Sequence, residues 1–283
     1  MTINENYLPL SIVDCNNTIR TGIKSKFKDS IRKQFGGIYD SIDELLNYIV
    51  IYDASIIFYR IPYNLSNEQA FEFLYKTYIK NKFDYRCKEI HLVFDNLNLS
   101  VKIKKQIQEK REKKETQNNF FKNREERDLF INNFIEWLKF KKNKHYNFKV
   151  IISGLTNTDK SLILLKDSYL ESDLYYHKHG EADSAIWYHV NMTKHKNIII
   201  NSADTDIWII GLLHFKELNK NIIIKNNKQY ININEIITNI ENNFINIDNS
   251  VLNIVYLYII SGCDYISFFY YLTKEHFLNV FMK

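Results

Sequence analysis

Apolar and polar positions change their period several times along this chain. "YIVIYD" (48–53) and "EIHLVFD" (89–95) are short β-branched runs, each closed by an aspartate, Asp53 and Asp95. "NFKVIISG" (147–154) and "KNIIINSADTD" (196–206) have the same texture, and the second runs into Asp204 and Asp206. Brief apolar runs bounded by polar turns predict strands. "NEQAFEFLYKTYIKNKF" (67–83) has helical spacing, and "DKSLILLKD" (159–167) reads as a helix followed by a short strand, "DLYYH" (173–177). Helices are also predicted from "GEAD" at 180, after "SADTD", over "INEIITNIENN" (233–243) and over "SVLNIVYLYIISGCDY" (250–265). "NIIIKNNKQYININ" (221–234) reads as a hairpin or two short strands. Strands alternating with helices predict an α/β fold with a central, mostly parallel sheet flanked by helices. In such a sheet the functional crevice lies beyond the carboxyl ends of the strands, where these aspartates fall.

One stretch breaks the alternation. Residues 101–144 are densely charged, with helical propensity, and lysines outnumber the interspersed glutamates. The whole chain carries a formal charge of +5, a mildly basic balance that suits nucleic acid. With 45% hydrophobic residues among 283, it can bury a sizeable core as one large domain or two small ones. Only 7 Gly and 2 Pro argue against a loop-rich sandwich. Cys15, Cys87 and Cys263 are scattered and odd in number, as expected of reduced thiols. No apolar run reaches the roughly 20 residues that span a bilayer, and "MTINENYLPLSIVDCNNTIR" has no secretory pattern. These features lead to the expectation of an intracellular, non-secreted protein without a membrane partner.

The acids are the candidate chemistry. Glu181 and Asp183 sit two positions apart, as do Asp204 and Asp206. Two like charges at ~4 Å cost about 4 kcal/mol at an effective dielectric of ~20. A divalent cation removes that penalty, and an all-oxygen donor set suits Mg²⁺, with Mn²⁺ as a substitute. Helix caps are the other reading of such acids. His177 and His179 flank the acidic block but lack Cys or His partners at zinc spacing. Ser202 and Cys263 have no evident His/Asp relay for nucleophilic catalysis.

Five blocks in order carry a resemblance: "YDAS" with Asp53, "VFD" with Asp95, "GEADSA", "SADTD" and "GCDY" with Asp264. Together they resemble the flap endonuclease family, structure-specific 5′ nucleases with a PIN-like core. The resemblance covers roughly residues 48–270 and implies one nuclease domain over 1–283. Within it, 101–145 would form a basic helical arch and 250–283 a truncated or divergent C-terminal helical part. It implies two Mg²⁺ ions, with Asp53, Asp95, Glu181 and Asp183 about one. Asp204, Asp206 and Asp264 would gather about the other, with Asp183 bridging. The substrate implied is DNA with a 5′ flap or free 5′ end, in replication or repair. An RNA substrate, cut by a 5′-to-3′ exoribonuclease on a related core, is one alternative, and an inactive nucleic-acid-binding scaffold is another.

Lys102, seven residues after Asp95, matches the family's catalytic lysine, and Arg111 or Lys110 falls near its arginine. Lys104, Lys105, Lys110, Lys113 and Lys114 would line the path of the strand. Tyr59 occupies the place of a base-stacking aromatic, a role worth ~1–3 kcal/mol per base; the plain alternative is a core tyrosine. Phe120, Phe121 and Trp137 would close the arch or simply pack, with packing the favoured reading for Trp137. The chain departs from the family at both ends. The residues before Asp53 match poorly, with "GGIYDSIDELLNYI" (36–49) standing where an opening helix is expected. The Gly-Ile-Gly turn expected after "GCDY" is missing, and no clamp-binding peptide is evident. The A/T-leaning composition and divergent ends suit a virus or another compact replicon, which would place the protein at a viral replication site or in the nucleus.

Overall fold

The computed structural model describes residues 24–96, 121, 123–142, 144, 147–178, 180–226, 229–262 and 272–282. They form two compact units. The smaller unit takes in the described parts of Met1–Asp40, Asp204–Asn219 and Gln229–Lys283; the larger takes in Ser41–Ala203 and Lys220–Lys228. The chain begins in the smaller unit with α1 (Lys24–Phe35) and β1 (Ile38–Tyr39). It then builds the larger unit from β2 (Tyr48–Asp53), α2 (Ala54–Tyr59), α3 (Asn67–Leu74), β3 (Cys87–Val93), α4 (Arg124–Phe140), β4 (Lys149–Ser153), β5 (Ser161–Leu165), β6 (Tyr169–Ser172), α5 (Ala182–Met192) and β7 (Asn197–Asn201). α6 (Thr205–Leu218) belongs to the smaller unit and β8 (Asn221–Asn226) to the larger. β9 (Gln229–Asn232), α7 (Ile233–Asn243), α8 (Ser250–Ile260) and α9 (Lys274–Phe281) complete the smaller unit.

In the larger unit the strands lie in the order β8-β7-β2-β3-β4-β5-β6. The first five are parallel neighbours, whereas β5 and β6 run antiparallel. The fold is therefore α/β with a mixed sheet, which corrects the mostly parallel one expected. The misreading lies at 159–177. An unbroken apolar run as short as "SLILL" has no period that separates helix from strand. Here it folds back on β4, with Leu162 opposite Ile152 and Leu164 opposite Val150. "DLYYH" is a turn, not a strand, closed by the Tyr176 amide donating to the Asp173 carbonyl at 3.2 Å. "GGIYDSIDELLNYI" is likewise not a helix: it contains β1 and turns.

Both faces of this sheet are covered. Tyr48, Val50 and Tyr52 of β2 and Val150 and Ile152 of β4 share one core with Phe58 of α2 and with Phe130, Phe134 and Leu138 of α4. Ile151, between the last two β4 residues, faces a second cluster with Ile163 and Tyr175. This alternation is the period of two that a strand imposes. The α4 positions are spaced by four, which puts them on one helix face. Phe58 meets Phe94, Phe130 and Phe134 at ring distances of 5.5, 6.0 and 5.8 Å. Burying each such ring contributes about 2–3 kcal/mol. Phe121 packs on Phe130 at 5.1 Å, and Trp137 stacks on Phe134 at 6.1 Å. Both aromatics therefore serve packing.

Local chemistry sets the element ends. A capping box starts α3: the Ser66 hydroxyl accepts from the Gln69 amide, and the Gln69 side chain accepts from the Ser66 amide. After Leu74 the turn widens into a π-helix over Tyr75–Ile79, followed by a 3₁₀ turn. Gly154, at φ +82°, opens the turn between β4 and β5; a Cβ there would lie 2.0 Å from the Phe94 carbonyl oxygen.

In the smaller unit, β1 and β9 pair antiparallel, Ile38 opposite Ile231. α1 buries Phe27, Ile31 and Phe35, again at a spacing of four. Phe27 lies 5.3 Å from Tyr258 of α8. Lys274 is buried, and its ammonium donates to the Tyr258 carbonyl (2.9 Å), the Ser261 hydroxyl (3.1 Å) and the Gly262 carbonyl. The cation thus caps the C-terminal end of α8, where the helix dipole favours positive charge.

Candidate metal centre

In the larger unit Asp53 and Asp95 stand at or just past strand ends, as their position after apolar runs predicts. β2 is buried along its whole length and ends at Asp53, which is itself buried and forms the N-cap position of α2. In the neighbouring parallel strand β3, Val93 stands opposite Asp53, and Asp95 follows two residues later. Asp95 is a junction. Its Oδ2 accepts from the Ser55 hydroxyl at 3.2 Å, and its Oδ1 accepts from the Ala182 amide at 2.8 Å. Ser55 lies in α2 and Ala182 opens α5, so one carboxylate gathers the segments after β2, after β3 and at the start of α5. Glu181 is the N-cap of α5 and Asp183 lies in its first turn. Four acids spread over 131 positions of sequence, 53 to 183, are thereby brought to connected segments.

In the smaller unit Asp204 caps α6: its Oδ1 accepts the Asp206 amide at 2.8 Å. One carboxylate oxygen of each lies within 4.8 Å of the other. Oxygen ligands at about 2.1 Å from an octahedral ion stand up to about 4.2 Å apart, so the pair suits a hard cation by donor type, and its span bound is slightly wider than one such ion sets. Asp206 also has protein donors. Lys24 Nζ reaches its Oδ2 at 2.5 Å, and the Tyr258 hydroxyl donates to its Oδ1 at 2.5 Å. Lys28, 5.9 Å over the Trp208 ring, adds a second cation. Burial lowers its pKa, partly offset by Asp29 and Asp204.

Tyr59, at the end of α2, is 53% exposed, so the core reading of this residue is wrong. Asp264, Lys102, Lys104, Lys105, Lys110, Arg111, Lys113, Lys114, Phe120 and His179 lie outside the described residues. His177 is buried, its ring 5.9 Å from that of Tyr188.

A polar chain absent from the sequence reading crosses the middle of the same sheet. Ser153 Oγ is 2.7 Å from His189 Nε2, His189 Nδ1 is 2.8 Å from His91 Nδ1, and His91 Nε2 is 3.3 Å from Glu89 Oε2. One proton arrangement satisfies every link. Ser153 donates to His189, His189 donates to His91, and His91 donates to the Glu89 carboxylate, with both rings neutral. Burial lowers the His91 pKa, against the pull of Glu89. Burial, with His91 and His177 nearby, drives that of His189 well below its ordinary 6.5. Burial pushes the Glu89 carboxyl up, but hydrogen bonds from His91 and Lys149 outweigh it and bring the value down to about 2. Ser153, His91 and His189 are all 0% exposed, so the chain has no access to substrate. The signal was available in "KEIHLVF": Glu89 and His91 are alternate positions of a strand with no exposed residue. Against this geometry, no known family model matches the chain, and no curated protein matches it.

Proposed function

We propose that the protein is a metal-dependent 5′ nuclease with a PIN-like core, hydrolysing phosphodiester bonds of DNA that has a flapped or free 5′ end. Asp53, Asp95, Glu181 and Asp183 are the proposed ligands of one Mg²⁺, and Asp204, Asp206 and Asp264 those of another. Held there, two such ions would supply an activated water and offset charge on the scissile phosphate, and the product would keep a 5′-phosphate. The chain's own contribution is to hold the carboxylates charged and oriented. Lys102 and Arg111 are the proposed cations facing the phosphate as charge develops. The basic lysines of 101–120 and the exposed Tyr59 would hold the strand with little sequence readout, through phosphate contact and stacking.

The observation that carries this reading is the double engagement of Asp95, whose two oxygens tie the start of α2 to the start of α5 at the carboxyl ends of adjacent parallel strands. A surface helix cap has no need of such a link. The test is a cleavage panel of flap, nick, gap and hairpin DNA with Mg²⁺, Mn²⁺ or chelator, beside matched RNA flaps. Metal-dependent cutting near the flap base is expected, and Asp204→Asn should abolish it while DNA binding persists. Full cleavage by that variant would remove the acid pair from the site. Preference for the RNA flaps would move the reading to an exoribonuclease. A second reading has one observation in its favour: Lys24 and Tyr258 already engage both oxygens of Asp206. That suits a binding protein without catalysis, for which DNA binding would survive every metal condition without a cut product.

A further inference from the structure

Beside Asp95 the larger unit has a small recess. Its polar lining comes from Ser55, Asp95, Arg127, Asp128, Asn132 and Thr156. Its interior volume is about 20 Å³, room for one oxygen-sized group. Arg127, from the first turns of α4, is the one cation among the described residues of that lining, and its side chain is only 15% exposed. Its charge is poorly answered: the nearest carboxylate among the described residues, Asp128, stands 3.6 Å from Nη2, beyond good hydrogen-bond distance. Its Nε is buried with no acceptor among the described residues. A guanidinium offers five donors in a planar fork that matches phosphate oxygens. A largely buried guanidinium whose Nε has no acceptor among the described residues, beside an oxygen-sized space, is suited to an anionic acceptor.

We infer that Arg127 binds a non-bridging phosphate oxygen of the nucleic-acid backbone next to Asp95, a positioning contact that rests on the nuclease reading above. The two carboxylates of the recess make the contact selective. Asp95 and Asp128 repel an anion that comes without a cation, so the contact would strengthen when metal is present at the proposed ligands.

The test measures binding of the full-length chain to 5′-flap DNA in chelator and with Ca²⁺, over a salt series, for wild type, Arg127→Gln and Arg127→Lys. Arg127→Gln should weaken binding about tenfold and reduce the slope of log K against log salt by about one. Arg127→Lys should keep the slope and regain only part of the affinity. Equal affinity and slope in wild type and Arg127→Gln would overturn the inference. If Arg127→Gln does not fold, as judged by circular dichroism, Arg127→Lys decides: a loss of threefold or more supports the fork contact, and no loss overturns it. Wild-type cleavage together with unchanged Arg127→Gln binding sinks this inference alone. Binding without cleavage, with the slope change present, sinks the nuclease reading alone. Wild type that binds no DNA sinks both.

Discussion

Strand β3 carries two sets of polar residues that differ in kind. In its middle, Glu89 and His91 enter a chain through His189 to Ser153 that is closed at every link and whose two histidines and serine are fully buried. Past its end, Asp95 is held by Ser55 and by the Ala182 amide beside a recess. Both sets take charge at least partly out of solvent, and both have hydrogen bonds to justify it. The difference is what remains for a ligand. The internal chain has consumed its donors and acceptors, so it fixes the packing of β3, β4 and α5. Asp95 keeps acceptor capacity, since each carboxylate oxygen has two lone pairs. Buried polarity alone therefore does not mark a site; a strand end beside a void does.

That contrast can be broken by substitution. Asp95→Asn keeps an oxygen for the Ala182 amide and removes the charge. Cleavage should fall by more than 100-fold in a single-turnover assay, with the melting temperature shifted by only a few degrees. A large loss of stability with cleavage intact would reverse the assignment of the two sets. His189→Leu should do the opposite. It strands the Ser153 hydroxyl and the His91 ring, at a cost of about 2–4 kcal/mol. Denaturant unfolding should show that loss while the folded fraction keeps its rate.

Acid should sharpen the same distinction. The two histidines are neutral in the fold and have lowered pKa values, so the unfolded chain binds more protons below pH 6.5. Their contribution is present above that value and is lost as pH falls below it. Glu89 is lowered from 4.5 to about 2, so its contribution is present above pH 4.5 and is lost as pH falls towards 2. Thermal melts should therefore decline in two steps on acidification, and Glu89→Gln should remove the lower one. The smallest effect expected is at Tyr59. Tyr59→Ala should weaken flap binding by about 1 kcal/mol, roughly fivefold, with no change in melting temperature.

The sequence made these acids legible because each follows a β-branched run: Asp53 closes its strand, and Asp95 and Asp204 come two and three residues after theirs. It also made most helices legible: α3, α5, α6, α7 and α8 fall where spacing places them. It did not separate "SLILL" from a helix, because strand identity there comes from a partner, β4, and not from the five residues themselves. The histidine chain was hidden for a related reason. Glu89 and His91 show as polar alternation within one strand, but His189 and Ser153 meet them only through the packing of α5 and β4. α1 was missed because "KSKFKDSIRKQF" carries its apolar residues at one position in four among charges. Asp264 and the basic residues of 101–120 lie outside the described residues, so that part of the sequence reading stays with the proposal.

Gly154 gives the site a dependence that has no charge in it. The turn after β4 passes so close to the peptide before Asp95 that even a methyl group would collide with the Phe94 carbonyl. Alanine there would push that peptide away and carry Asp95 with it. In a survey of random single substitutions, position 154 should tolerate change as poorly as the acids do. Its intolerance would record the shape of the floor on which they stand.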